Sequence, residues 1–407
     1  MSPVQMLFLI IRSSFFNEPL PFTQLSHQEY KRLMYVASRQ TIEGIVAGVL
    51  MRSNIQLDRE DALHVFSVNK SIEQSNHRVN AVIVRLSSIL KKNNLDYIVF
   101  KGQTFSNIYP HPLERVPGDI DFFCDKEYFE EAKTVLEKEW GIAFSGSESE
   151  QHLEFNYSQV PLEMHYNMIK FNHRQIQEYW DNILKSANKD SLTIEGCQVA
   201  TLEPTLNVLY TFLHLYHHLV ELGVGLRQFC DVLCLLHSYH QVIDKKSLEK
   251  HLVTMGFMRA FCAIGWVLIH QMGLPINEFP FKIQERDKKI EKDILDIVKQ
   301  YEMEDKVVIS SFNYKSLKRI SKLNSKVKTA YLVGPLTFKR RNLKKILKIC
   351  KDCKCTYIHP SCDVVNKEFV AEAHKRGLLV QVYTVNSVTI MKKLIKLKVD
   401  GVFTNYP

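Results

Sequence analysis

The stretch from Arg115 to Phe123, RVPGDIDFF, places two carboxylates two residues apart inside an apolar run, directly after a glycine. On a β-strand, residues two apart point to the same face. Asp119 and Asp121 therefore project side by side, while Ile120 and Phe122 turn the other way, into a core. Two neighbouring carboxylates on a half-buried strand repel each other and are costly unless something cationic neutralises them. A hard divalent ion such as Mg²⁺ or Mn²⁺ does so, and it favours a couple of carboxylates together with substrate phosphates. Gly118 leaves room for a phosphate or a backbone to come close. The pair is thus expected to clamp a metal. A solvated surface hairpin is the rival reading, and the flanking Phe122-Phe123 speaks against it.

The surroundings of this stretch give a small sheet. LDYIVFKG, ending in Lys101-Gly102, reads as a strand, QTFSNIYP as a short helix, and GDIDFFCD as a second strand. KEYFEEAKTVLEKEWG is a helix with acidic residues at its start, where the helix dipole favours them. HLEFNYSQ and VPLEMHYNM alternate as a hairpin. In the last of these, Glu163 and His165 share one face, and Glu163 is the candidate third carboxylate of a metal site fed from neighbouring strands. Before this sheet, residues 1–90 read as helices, with Ser26 as an N-cap. From about 172 to 289 helices return, among them TLNVLYTFLHLYHHLVE and GLRQFCDVLCLLHSYH. There His214 and His218, four apart, can face a cleft together, or can simply pack in the helix bundle. Arg227 and Asp231 are also four apart, and the spacing predicts an ion pair within the helix.

After about 290 the rhythm is regular. Strands DKVVISSF, KTAYLV, CTYIHP, LLVQVYTV and DGVFT alternate with helices around 314–323, 340–353, 366–376 and 387–397. This predicts a parallel sheet or part of a (β/α) barrel. Five strands cannot close an eight-stranded barrel, and an open apolar edge invites self-association. The expected organisation is a helical segment over 1–90, an α/β core over 91–171, a helical subdomain over 172–289 and a partial barrel over 290–407. The fold class is α/β (α+β), a mixed sheet embedded in helices followed by the barrel segment.

A chain of 407 residues needs more than one core. Its 45% hydrophobic and 24% charged residues exclude a disordered chain. The net charge is +9, and the basic excess lies after residue 305, in runs such as KRRNLKKILKICKDCK. Those lysines recur between apolar residues at helical spacing and read as solvated helix faces. No apolar run reaches the ~18–20 residues of a membrane span. The nine cysteines lack the spacing of a disulfide framework, which fits a reducing compartment, so the chain is expected to be cytoplasmic. Cys350, Cys353 and Cys355 with His359 do not give the two-pair spacing of a structural zinc site.

The order strand-KG, short helix, R-x-x-GDID, and strand with E-x-H resembles an uncharacterised bacterial nucleotidyltransferase-like family of the polymerase β-like superfamily, over about residues 5–285. The segments YPHPLERVPGDIDFF, PLEMHYNM, FLHLYHHLVELGVGLRQFCDVLCLL and VIDKKSLEKHLVTMGF carry the resemblance. It implies a minimal nucleotidyltransferase fold in which Asp119, Asp121 and Glu163 bind Mg²⁺ or Mn²⁺ and catalyse transfer of a nucleotidyl group from an NTP to an unknown acceptor. Lys101-Gly102 would stand where the superfamily usually has Gly-Ser, with Lys101 supplying the charge for the phosphates. Gly118 and His165 would complete the nucleotide site, and Arg115 would hold a phosphate or brace its loop. Loss of turnover would leave a non-catalytic nucleotide-binding protein.

The C-terminal part resembles the last portion, strands four to eight, of a glycerophosphodiester phosphodiesterase barrel over about 290–407. VNKEFVAEAHKRGLLVQVYTVNSVTIMKKLIKLKVDGVFTNYP carries that resemblance, with Asn405 where the family has aspartate. The family's His-Arg-Gly motif does not occur in this chain. The resemblance therefore implies a phosphodiesterase-related segment that lacks the half-barrel holding the metal and is inactive in phosphodiester hydrolysis.

Overall fold

Capping begins at the first residues. Ser2 caps α1 (Pro3–Phe16) and Ser26 caps α2 (His27–Arg39), each in a reciprocal capping box, with Gln5 and Glu29 three residues on. α3 (Glu43–Arg52) is buried along most of its length, and α4 (Arg59–Lys92) is a long helix whose inward stripe runs Val65, Ile72, Asn76, Val79, Ile83, Leu86 and Leu90. The computed structural model describes all residues except 145–151, 172, 222–223, 284–290, 292–293, 296–297, 300–301 and 405–407. Asn405 lies outside the described residues.

β1 (Ile98–Phe100), β2 (Ile120–Phe123), β3 (His152–Tyr157) and β4 (Val160–His165) form one mixed sheet in the order β1-β2-β4-β3. β2 runs antiparallel to β1 and parallel to β4, and the register pairs Asp121 with both Phe100 and Glu163. α5 (Gln103–Ser106) follows β1, and α6 (Lys126–Trp140) follows β2. One face of the sheet, with Ile120, Phe122, Leu162 and Met164, packs on Val82 and Leu86 of α4 and Phe129 and Leu136 of α6. The opposite face carries Phe100, Asp121, Glu163 and His165. Phe100 joins a second cluster built from α1 to α3 and from the later helices α8 (Pro204–Glu221), α9 (Leu226–Tyr239), α10 (Lys245–Thr254) and α11 (Met258–His270).

One element departs from the sequence reading. Between α7 (Arg174–Lys185) and α8 the chain forms a hairpin, β5 (Lys189–Ile194) and β6 (Cys197–Leu202), where only helices were expected. Its turn, Glu195-Gly196, has positive φ at both residues, the backbone that matches the twist of a tight hairpin. Ile194 and Val199 anchor it in the cluster beneath the sheet.

The chain divides into two compact units, Met1–Ile283 and Gln284–Pro407. The second contains β7 (Val308–Ser311), α12 (Tyr314–Leu323), β8 (Lys328–Val333), α13 (Pro335–Arg340), α14 (Leu343–Asp352), β9 (Tyr357–Pro360), α15 (Lys367–His374), β10 (Leu379–Val382), α16 (Val388–Lys396) and β11 (Gly401–Val402). All five strands are parallel and neighbours in chain order, so each crossover feeds the adjacent strand. Among the described residues, β7 and β11 each pair on one side only. Cys350 and Cys353 are buried in this unit's core with Tyr331, Val333 and Ile358, and His359 bonds Ser310 through Nδ1 at 3.0 Å. These cysteines and His359 form no metal-holding group among the described residues. No helix there is long and apolar enough to cross a membrane.

Candidate active site

The carboxylates collect at one end of β2. Asp119 precedes the strand, Asp121 lies in it, and Glu163 sits beside Asp121 on β4. One oxygen from each of the three lies within 4.8 Å of the others. This all-oxygen set is what a hard divalent cation prefers, so the three residues could hold one.

Asp121 is 3% exposed, and its charge is compensated within the protein. Its Oδ1 accepts from Lys101 Nζ at 2.9 Å and from His165 Nε2 at 3.0 Å. Burial works against the Asp121 charge, but Lys101 and His165 outweigh it and hold the carboxyl well below the usual carboxylate range. His165 also places Nε2 3.2 Å from Glu163 Oε2. Burial disfavours its imidazolium, yet the hydrogen bonds to Asp121 and Glu163 raise its pKa on balance. At Asp119 the charge of Lys101 is outweighed. Burial, reinforced by Asp121 and Glu163, pushes its carboxyl up to about 6. The site thus contains one carboxylate that is already neutralised and one that is charged only at a cost.

The Lys101-Gly102 turn has positive φ at both residues, 58° and 46°. This backbone sends Lys101 back over the strand ends, and its ammonium meets Asp121 rather than projecting outward. A Cβ on Gly102 would come 3.3 Å from the Asp119 carbonyl, so a larger residue would press on the carboxylate loop as well as strain the turn.

The loop that delivers Gly118 and Asp119 is tied down on several sides. Arg115, 4% exposed, donates from Nε to Asp231 Oδ1 at 2.8 Å and from its second terminal nitrogen to Oδ2 at 2.9 Å. Tyr109 adds a 2.6 Å bond to the same carboxylate. This corrects the expected Arg227–Asp231 pair and favours one of the two roles expected of Arg115. Asp231 pairs with Arg115 from the loop, not with Arg227 one turn earlier on its own helix. Arg115 accordingly braces the loop, since its guanidinium is already spent on a buried bidentate contact. Arg227 instead donates to the Val116 carbonyl at 3.2 Å. Glu114 is held by Arg52, and Asn76 of α4 donates to the carbonyls of Leu113 and Arg115 at 3.0 Å. Sequence reasoning passed over Asn76. Its signal was a polar residue set in the inward stripe of a helix.

A cavity of about 210 Å³ opens over the carboxylates. Lys101, Gly102, Gly118, His214, His218 and Arg227 line it together with Asp119, Asp121 and Glu163, so the candidates from the strands and from α8 and α9 converge. The His214 and His218 rings lie 4.3 Å apart edge to face. Burial, with Lys101 and His218 adding to it, pushes His214 down to about 2, so it is a neutral hydrogen-bonding group. His152 of β3 pairs with His165 in register and joins Glu163 and His165 in a second group that could hold a metal, a feature the sequence reading did not single out.

Comparison with known proteins accords with this geometry. A family model described as "Uncharacterised nucleotidyltransferase" matches residues 26–273, which include the whole sheet and its carboxylates. The chain belongs to the uncharacterised nucleotidyltransferase family. A second model, the glycerophosphoryl diester phosphodiesterase family, matches residues 241–407, so the C-terminal part is a domain of that kind. The two matches overlap at 241–273, where α10 and α11 belong by packing to the first unit, since Leu248, Leu252 and Phe261 lie in its core.

Among curated proteins, uncharacterised protein YqiK of Bacillus subtilis is 27% identical over 30% of this chain and 49% of its own length. A glycerophosphodiester phosphodiesterase of Bacillus altitudinis is 28% identical over 29% of this chain and 46% of its own. The chain thus spans about half the length of the curated relatives it matches. Solved structures with some likeness include an antigenic nucleotidyltransferase-like protein of Paracoccidioides brasiliensis (16% identity, 49% of this chain and 93% of that one, TM-score 0.31). A glycerophosphodiester phosphodiesterase of Parabacteroides distasonis is another (21% identity, 30% and 49%, TM-score 0.26).

Proposed function

We propose that the first unit transfers a nucleotidyl group from an NTP to an acceptor, using a divalent cation, Mg²⁺ or Mn²⁺, held by Asp119, Asp121 and Glu163. The observation that carries this reading is the convergence of three carboxylate oxygens within 4.8 Å of one another at the wall of a cavity lined by Lys101 and Arg227. The cation would supply charge neutralisation at the α-phosphate and for the departing pyrophosphate. The chain's own groups do the rest. Lys101, ion-paired with Asp121, and Arg227, on the Val116 carbonyl, are the cationic donors that would face a triphosphate. Gly118 keeps the approach to Asp119 clear. His214, neutral, hydrogen-bonds without adding charge. His165 holds Asp121 and Glu163 in one orientation through a single Nε2–H. The fixed loop preserves the alignment on which in-line displacement depends.

The test is an assay of label transfer from each of the four α-labelled NTPs, with Mg²⁺ or Mn²⁺, in cell extract. Asp121→Ala is expected to lower transfer at least about a hundredfold while the circular dichroism spectrum stays unchanged. Transfer that survives the substitution would sink the proposal.

The phosphodiesterase family match to the C-terminal part raises a second activity. Among the described residues of that unit, no three His, Cys, Asp or Glu side chains come close enough to hold a metal. Our reading is that this segment does not hydrolyse glycerophosphodiesters by itself. Metal-dependent release of glycerol 3-phosphate from glycerophosphocholine by the purified chain would overturn it.

A further inference from the structure

Two hollows share Gly118, Asp119 and Glu163 as a common wall. The first is the cavity already described. The second, about 640 Å³, lies between α4 and the β3–β4 hairpin. In nucleotidyl transfer two molecules must meet at one set of carboxylates. The acceptor oxygen enters in line with the leaving pyrophosphate, so acceptor and triphosphate cannot share one approach.

The electrostatics assign the hollows. Outside the shared Asp119 and Glu163, the first is lined by Lys101, Arg115 and Arg227 against Asp121 and Asp231, a net positive set suited to phosphates. In the second, the charged side chains are Arg78 against Asp119, Glu154 and Glu163, and Arg78 already donates to Gln159 at 3.3 Å. A nucleic-acid strand needs several cations along its path, and this hollow presents one, opposed by three carboxylates. Its floor is apolar, with Val79, Phe155 and Leu162, and its rim is polar, with Ser75, Asn156 and Gln159. Its volume falls within the range typical of small-molecule sites, about 300–1,000 Å³. The larger hollow is therefore the poorer seat for the triphosphate despite its size, because it offers one cation where the first offers three, and outside the shared carboxylates it has no positive excess.

We propose that the hollow between α4 and the β3–β4 hairpin is the acceptor site, and that it takes a small, hydroxyl-bearing molecule without phosphate groups. This rests on the nucleotidyltransferase reading above. The acceptor hydroxyl oxygen bonds to the α-phosphorus, and the bond from that phosphorus to the pyrophosphate oxygen breaks. Pyrophosphate leaves with the electron pair, and the hydroxyl proton passes to Glu163.

The experiment uses the full chain with two readouts. Nucleotide binding is followed by the fluorescence of a ribose-labelled ATP analogue with Mg²⁺, with Asp121→Ala as the control. Transfer from α-labelled NTPs is followed into the ultrafiltered small-molecule fraction of a cell extract and, separately, into a single-stranded RNA oligonucleotide. Ser75→Trp fills the hollow from a half-buried position of α4, and Arg78→Ala alters its exposed rim without adding bulk. The expected result is label in the small-molecule fraction. Half-saturation by that fraction should rise about tenfold in Ser75→Trp and more mildly in Arg78→Ala, with analogue binding unchanged in both. Label on the RNA, or analogue binding weakened as much as transfer, overturns the assignment. Analogue binding that depends on Asp121 with no label in either acceptor also overturns it, while leaving nucleotide binding standing. Loss of that dependence removes the reading beneath the proposal and the proposal with it.

Discussion

Asp119 and Asp121 differ by one strand period yet titrate in opposite directions: Lys101 and His165 hydrogen-bond to Asp121, whereas at Asp119 burial and the neighbouring carboxylates outweigh the charge of Lys101. An Asp119 carboxyl at about 6 in the folded chain, against its ordinary value of 3.8, means that the folded state binds more protons than the unfolded state between those values. Without metal, stability therefore falls as pH rises through that window. Asp119→Asn is expected to stabilise the metal-free protein at pH 7 by roughly 1–3 kcal/mol. Mg²⁺ should raise the melting temperature of the natural protein and not that of the variant, and thermal melts in EDTA and in Mg²⁺ read both effects. The buried Arg115–Asp231 pair behaves differently. Asp231→Ala leaves an arginine uncompensated inside the protein, and about 3–5 kcal/mol is lost in urea unfolding. Arg115→Met together with Asp231→Leu should recover part of it. The carboxylate trio was legible in the sequence because strand alternation is local and strict. The Arg115 partnership was not, because the two residues are 116 apart in the chain and only the fold brings them together. The i,i+4 spacing of Arg227 and Asp231 offered a nearer but wrong partner.

At the scale of elements, periodicity identified α4, α8, α9 and the five strands of the second unit, whose apolar runs are broken by helices. It missed the β5–β6 hairpin. KDSLTIEGCQVATL alternates only weakly, with Leu192 and Ile194 facing in among exposed neighbours, and it lies between two strong helical patterns. Its Glu195-Gly196 turn was the available signal. Helix propensity also misleads at Gly265 in α11. By propensity alone, Gly265→Ala would stabilise by about 1 kcal/mol. Here a Cβ would meet the Phe279 ring at 2.2 Å. That ring is 4% exposed and lies 5.3 Å from the Phe261 ring in a stacked arrangement, so it has little room to withdraw. The overpacking term, about 1–3 kcal/mol, therefore exceeds the propensity gain. We expect Gly265→Ala to lower the urea midpoint, and a raised midpoint would show that Phe279 can move.

The whole molecule joins two units with separate hydrophobic cores, one holding the carboxylates and the other the parallel five-stranded sheet. The division was visible in the sequence as a change of rhythm, from helices around a short mixed sheet to repeated strand–helix units. The basic excess belongs to the sequence of that second part, whereas the residues that would bind phosphate belong to the first. Net charge alone would thus have drawn attention to the wrong end of the chain, and the site is set by a few oriented groups instead. Chains with separate cores do not in general unfold in a single step. A ligand that binds one folded unit raises the stability of that unit by an amount set by its concentration and affinity. Calorimetry of the full chain is therefore expected to resolve two transitions. A nucleotide analogue with Mg²⁺ should raise one and leave the other in place, and Asp121→Ala should abolish the shift. A single transition that moves as a whole would mean that the two cores unfold together. In that event the phosphodiesterase-like unit would be part of the cooperative structure on which the nucleotide site depends, and shortening the chain at Ile283 should weaken nucleotide binding.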